Sequence, residues 1–233
     1  MRLKVILALG CAVIAGSPGF CAGAGDLRKA RDRQDRDALA KMIGELSAAA
    51  QNRPNDAQAH YQAALAGSYL AEVCLELRLR NEAKSAAETA IKAAERAVEL
   101  KPSNAEYHRV LGTLCGQVIP ANVLAGLRYG KCARDSVNKA VELDPGSSDA
   151  WLSHGVGNYY LPPQFGGGLD LARKDFEKAL QLNPKSADAW FWLGLALRKA
   201  NQNNEARKAF QKSLELNPGR VWTKQLLDRT PTQ

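Results

Sequence analysis

Between Ala187 and Arg220 the apolar positions fall three and four apart, the period of a helix buried on one face. Trp190, Leu193, Gly194 and Leu197 mark a first helix, Ala206 and Phe210 a second, and Asn201 to Asn204 the turn between them. Gly194 and Ala206 are small where two helix backbones must come close, and Pro218 stops the second helix because proline cannot continue the ladder. The same stop recurs upstream at Pro184, Pro145, Pro102 and Pro54, behind ALQLNP, AVELDP, AVELKP and the weaker AAAQNRP. Five stops predict an array of helical hairpins. Their spacings, read toward the N-terminus, are 34, 39, 43 and 48 residues, so the units lengthen by 5, 9 and 14 residues.

This divides the chain into an N-terminal capping partial repeat at 25–56, long-helix repeats at 57–104 and 105–147, a repeat with a Pro/Gly insertion at 148–186, a plain repeat at 187–220, and a capping helix with a tail at 221–233. In the first unit Leu39, Met42, Ile43 and Leu46 share one side of a helix, and the charged DLRKARDRQDRD before it reads as a polar outer face that keeps an array end soluble. In the second, Leu70, Val73, Cys74 and Leu77 carry the apolar face past the usual turn, so the extra 14 residues add about two turns, roughly 10 Å, to each helix. In the third, Pro120 fits the first turn of the second helix. In the fourth, YYLPPQFGGG sits where the helices should turn, with Phe165 offered between stiff Pro162-Pro163 and flexible Gly166, Gly167 and Gly168. Trp222, Leu226 and Leu227 cover the last repeat, and the tail from Arg229 is expected to be loose.

The Trp, Leu, Gly, Ala, Phe and Pro positions of 187–220 resemble the tetratricopeptide repeat (TPR), with departures at Leu197, where an aromatic is usual, and Ser213, where alanine is. The resemblance implies an all-α solenoid of about four and a half to five hairpins in a right-handed superhelix, closed by a C-terminal helix. AEYHRVLGTLCGQ and PPQFGGGLDLARKDF are more particular, and together they look like a bacterial family of exported TPR proteins with an elongated repeat and a Pro-Gly-Gly loop. A similar loop occurs in periplasmic TPR subunits of TRAP-type solute transporters, which bind apolar ligands in an internal pore, although those chains are longer and usually lipid-anchored.

The start of the chain changes the picture. Arg2 and Lys4, an apolar run from Val5 to Gly16 and small Ala22-Gly23-Ala24 are the three parts of a secretory signal peptide, residues 1–24, with cleavage after Ala24. The run is too short for a membrane span, so no transmembrane segment is expected after signal removal. Cys11 and Cys21 lack the residues that normally precede a lipidated cysteine. The formal charge of +8 falls to +6 without Arg2 and Lys4, since residues 1–24 hold no acid. That excess suits a solvated basic surface or an acidic partner, and no aromatic-basic module of a nucleic-acid binder accompanies it. Export would leave Cys74, Cys115 and Cys132 in an oxidising compartment, an odd number that gives no disulfide framework. Each reads as a small buried hydrophobe, with Cys115 and Cys132 a candidate pair across one hairpin.

No His, Cys or carboxylate set has metal-ligand spacing, no serine lies in a nucleophile turn, and the triple glycine lacks the preceding strand of a phosphate loop. His60, His108 and His154 sit on first helices, the first two where Trp151 and Trp190 stand later, and read as packing residues. No cofactor and no enzymatic activity are expected. The TPR resemblance places binding on the concave wall of first helices, at Tyr61, Leu65 and Tyr69, Arg109 and Thr113, Leu152, Val156, Tyr159 and Tyr160, and Phe191, Trp192, Leu195, Arg198 and Lys199. Aromatics with a few cations suit an extended peptide or protein segment, or an apolar acidic small ligand. The expectation is an exported scaffold for protein interaction, with a periplasmic ligand-binding accessory subunit of a transporter as the alternative. N-terminal sequencing of protein recovered from its own cells should read from Gly25, and a sequence beginning at Met1 would overturn the export reading.

Overall fold

The structure is a computed structural model that describes residues 23–232; most of the signal segment, with Cys11 and Cys21, lies outside the described residues. Five antiparallel helix pairs follow one another: α1 (Ala24–Asp32) with α2 (Arg36–Asn52), α3 (Ala57–Glu76) with α4 (Arg80–Leu100), α5 (Ala105–Val118) with α6 (Val123–Leu143), α7 (Ser148–Tyr160) with α8 (Leu169–Leu182), and α9 (Ala187–Lys199) with α10 (Asn203–Leu216). A last helix, α11 (Val221–Asp228), follows. The described residues contain helices and no strand.

Every unit is joined to the next by the same turn. Asp56, Asn104, Ser147 and Ser186 each close a backbone turn to the residue three earlier, then cap the following helix by accepting a hydrogen bond from its first-turn amides. A second contact repeats with it. The ring nitrogens of His60, His108, Trp151 and Trp190 bond the carbonyls of Pro54, Pro102, Pro145 and Pro184, each six residues back. The two early histidines therefore do what the two later tryptophans do, which fixes one register along the proline edge of the array.

Because that edge is pinned, differences in length emerge at the opposite edge, where each pair turns over. α3 and α4 run 20 and 21 residues against 13 and 14 for α9 and α10. Seven residues is about two turns, or roughly 10 Å. The hairpin turns of the first, second and fifth pairs are alike, with a left-handed residue at Gln34, Arg78 and Asn201 and the paired backbone bonds of a Schellman stop. The third and fourth pairs use proline instead. Pro120 lies in a 3-10 turn, Ile119–Ala121, and α6 starts after it with Asn122 as cap, so it does not open that helix as the spacing suggests. Pro163–Phe165 forms the other 3-10 turn. The triple glycine behind it answers three separate demands: Gly166 and Gly168 take φ of 88° and 116°, and a Cβ on Gly167 would stand 2.3 Å from the Leu161 carbonyl.

The core is a row of contacts between neighbours. Leu39, Leu46, Ala64, Val73, Ile91, Val110 and Leu114 bury together in the first three units, Phe176 and Leu180 in the fourth, and Phe191, Phe210 and Leu226 in the fifth. Inside α5, α7 and α9 a glycine receives a side chain of the partner helix: Gly112 meets Val137, Gly155 meets Phe176, and Gly194 meets Phe210. Cys115 and Cys132 form a disulfide joining α5 to α6, and Cys74 is free and buried. The tail is less loose than expected. Arg207 donates to the carbonyls of Leu227 and Thr230, and the buried Thr230 hydroxyl donates to Leu226.

An added Cβ at Gly155 or Gly194 would come 2.5 Å and 2.6 Å from a buried phenylalanine ring. Gly155→Ala and Gly194→Ala should each destabilise by about 1–3 kcal/mol despite the better helix propensity of alanine. Gly157→Ala, on the same helix as Gly155 with nothing within 4 Å, should stabilise by up to about 1 kcal/mol. Urea unfolding of the three variants checks the contrast.

Candidate functional site

The concave wall is made by α1, α3, α5, α7 and α9, and its two ends meet across the groove. Arg31, at the end of α1, holds Asp188 at the start of α9 in a two-pronged ion pair of 2.9 and 3.2 Å. Arg220, between α10 and α11, reaches back to α3 and binds Glu72 at 2.6 Å and Glu76 at 2.5 Å. Asp32 lies between the two arginines, accepting from Arg31 at 2.6 Å and from the Asn217 amide at 2.8 Å, with the Arg220 Nε 3.7 Å away. Gln225 of α11 donates to Gln34 in the first hairpin turn. The last unit of the array thus touches its first two.

At the heart of this clasp Arg220 and Glu76 are out of water, with side chains 2% and 0% exposed, while Asp188 and Glu72 are half-buried. Sequence reasoning missed them, but two signals were present. At four proline stops the capping place holds Asp, Asn or Ser, whereas at the fifth it holds Arg220, which makes no side-chain cap and is free to reach α3. The second residue of the last three first helices is an acid: Glu106, Asp149 and Asp188. Within the charged first segment Arg31 and Asp32 are buried, whereas Arg28, Lys29, Arg33, Asp35 and Asp37 stay exposed.

The predicted groove residues divide into three groups. Leu65 and Phe191 are 5% and 1% exposed and belong to the core, so neither is offered to a partner. Others are spent on the wall itself. Tyr61 donates to Glu106 and stacks on Tyr107, Arg109 grips Glu106 with two bonds of 2.6 and 2.7 Å, and Tyr69 lies under the Arg31 guanidinium. Leu152 and Val156 pack half-buried on the fourth-unit core, Leu195 on the fifth, and Arg198 donates to the Arg229 carbonyl. Thr113 is half-buried, its hydroxyl enclosed without a partner among the described residues.

The third group is a joined aromatic surface. Tyr159, Tyr160 and Trp192 stand edge to face at 5.0 to 6.1 Å, Trp192 continues to Phe191 and Trp222, and Lys199 sets its ammonium 4.3 Å over the Tyr159 ring. Tyr160 keeps 61% of its surface open to solvent, yet the surrounding protein pushes its phenol up to about 12, as a concave setting would. Phe165 is 67% exposed on the hairpin edge, and Gly166, Gly167 and Gly168 follow it in the loop. His154 plays a different part, pairing with the buried Asp175, which also accepts from Asn158, and so tying α7 to α8.

Two hollows, of about 420 and 20 Å3, both lie against α9: the larger between Trp190, Leu193 and Leu197 and residues of α10, the smaller between α8 and Ala196, Leu197 and Ala200. Neither is lined by the predicted groove residues. No cluster of three His, Cys, Asp or Glu able to hold a metal occurs among the described residues. No helix among them is long and apolar enough to cross a membrane.

The repeated cap, proline carbonyl bond and glycine approach define a tetratricopeptide repeat protein, and the tetratricopeptide repeat family matches residues 165–221. A second family covers more of the chain. The protein belongs to the family described as regulator of microtubule dynamics protein 1-3, which matches residues 26–161 and so includes the Tyr107-His108 helix and the disulfide hairpin. No curated protein sequence matches the chain significantly. Among solved structures, a thermophilic TPR protein of Thermus thermophilus has a TM-score of 0.60 at 19% identity, over 83% of this chain and 89% of that one. YrrB, a TPR protein with an unusual peptide-binding site, reaches 0.45 at 19% identity over 89% and 99% of the two chains. MamA from Desulfovibrio magneticus RS-1 reaches 0.46 at 17% over 84% and 95%.

The clasp has a pH signature. Burial pushes the Glu76 carboxyl up and the neighbouring Glu72 adds to it, so that against the pull of Arg220 it stands at about 7 rather than 4.5. A carboxyl raised by folding holds its proton more tightly in the folded state, so its contribution falls as pH rises from about 4.5 to about 7. Asp188 is opposite: burial pushes it up, but Arg31 and then Arg220 outweigh that and hold it at about 2, so its contribution is lost only as pH falls from 3.8 toward that value. Unfolding free energy should therefore drop between pH 4.5 and pH 7, by on the order of 2–3 kcal/mol, and Glu76→Gln should flatten that slope in a pH series of urea titrations.

Proposed function

We propose that the protein is an exported, non-enzymatic scaffold that holds a protein segment against the aromatic surface of its concave wall. The observation that carries this reading is the Tyr159, Tyr160, Trp192 and Lys199 cluster, in which Tyr160 is left 61% exposed beside the rings of Tyr159 and Trp192. Rigid aromatics give large contact area for little loss of side-chain freedom, and a nearby ammonium favours a carboxylate on the bound segment. The family description, regulation of microtubule dynamics, is a protein-directed role and supports a protein partner without naming it. The disulfide within the third hairpin supports the exported reading, because such bonds persist where the surroundings are oxidising.

The partner meets a groove already narrowed by the clasp. A segment that enters must thread past Arg31 and Asp188 or part them, so binding and opening of the clasp are linked. A photo-crosslinking residue placed at Tyr160 should capture a polypeptide in the protein's own cells, while the same residue at Leu171 on the outside should not. Native mass spectra showing a small stoichiometric adduct and no polypeptide would replace this reading with a ligand-binding one.

A further inference from the structure

The hairpin edge has a character the groove does not explain. Leu124 and Leu127 on the first two turns of α6 are 74% and 80% exposed, Phe165 is 67%, Leu171 42% and Leu77 39%. All stand within a few residues of a hairpin turn, in the second, third and fourth units. The proline edge offers one large apolar side chain among the described residues, Leu182, at 37%. The register bonds to the proline carbonyls hold the proline edge level, so the added turns of α3 and α4 and the added length of α6 push Leu77, Leu124 and Leu127 outward at the other edge.

Cations accompany them. Arg78 and Arg80 follow Leu77 and are exposed without a partner among the described residues, and Arg128 and Lys131 follow Leu127. The nearby acids are mostly engaged, Glu82 with Arg36 and Asp135 with Lys131, while Asp170 stays unpaired on the fourth hairpin. Apolar tips flanked by arginine and lysine are complementary to a surface that is negative outside and apolar beneath. Separate protruding side chains suit a fluid surface that deforms around each of them.

We propose that the hairpin edge docks on an anionic lipid bilayer, with Leu124, Leu127, Leu77 and Phe165 entering the interface and Arg78, Arg80 and Arg128 meeting the head groups. This face is distinct from the groove and goes beyond the scaffold reading: it would hold the array edge-on to a membrane with the groove open alongside.

The test is co-sedimentation of the full chain with vesicles of phosphatidylcholine alone and of phosphatidylcholine mixed with an equal part of phosphatidylglycerol. The expected result is binding to the mixed vesicles that weakens with added salt. Leu124→Ser with Leu127→Ser should lower partitioning at least about tenfold, and Arg80→Glu with Arg128→Glu should remove the preference for the anionic vesicles. These side chains are solvent-exposed, so unchanged circular dichroism is expected of both variants, and comparing variants of the full chain cancels any contribution of residues 1–22. Equal binding by the wild-type chain and both variants would overturn the proposal. So would a wild-type dimer in sedimentation velocity that the leucine variant dissolves, which would assign the edge to contact between protein copies.

Discussion

A guanidinium keeps its charge at every pH a cell presents, so a buried arginine must be met by carboxylates. Arg31 and Arg220 impose that constraint on this chain. Their side chains are 5% and 2% exposed, and the acids that reach them come from helices far apart in sequence: Asp32, Glu72, Glu76 and Asp188. Such a site is costly to form, since ions leave water before they meet. Removing one partner typically costs about 3–5 kcal/mol because the other charge is stranded. The curvature of the whole array has to satisfy this one junction.

The register bonds explain how length can vary without loss of order. Each unit docks at its proline turn through a capping side chain and a ring nitrogen, and neither contact depends on how far the helices extend beyond. Growth at the far end is therefore tolerated, and the second, third and fourth units each used it differently: longer helices, a proline turn with one long helix, and a glycine loop. The glycine loop is constrained by its own backbone rather than by a ligand, since two of its residues are left-handed and the third has no room for a side chain.

The repeat itself was legible because its rules are local. Proline stops, an apolar period of three and four, and small residues at crossings all act within one hairpin, and they located the helices; Cys115 and Cys132 stood on facing helices as a candidate pair, and the structure joins them. The wall was legible only in part. Repeat arithmetic put Tyr159, Tyr160, Trp192 and Lys199 on one wall, where their side chains do adjoin, but it could not separate Phe191, which the capping helix covers with Trp222 at 4.7 Å, from neighbours that stay open. The clasp lay beyond that arithmetic, because Arg31 and Asp188 are 157 positions apart and meet only through the summed curvature of every unit between. Only the arginine in a capping place and the run of acids near first-helix starts hinted at it.

An open solenoid is close to one-dimensional: each unit answers only to its neighbours, and the terminal units fray first. The ion pairs between α1, α3, α9 and the residue before α11 change that topology, since a chain fastened end to end has no terminal unit. Loosening any one repeat then strains the junction, and loosening the junction releases both ends together. The array is left with the cooperativity of a ring, in which a disturbance at one place is felt at every other.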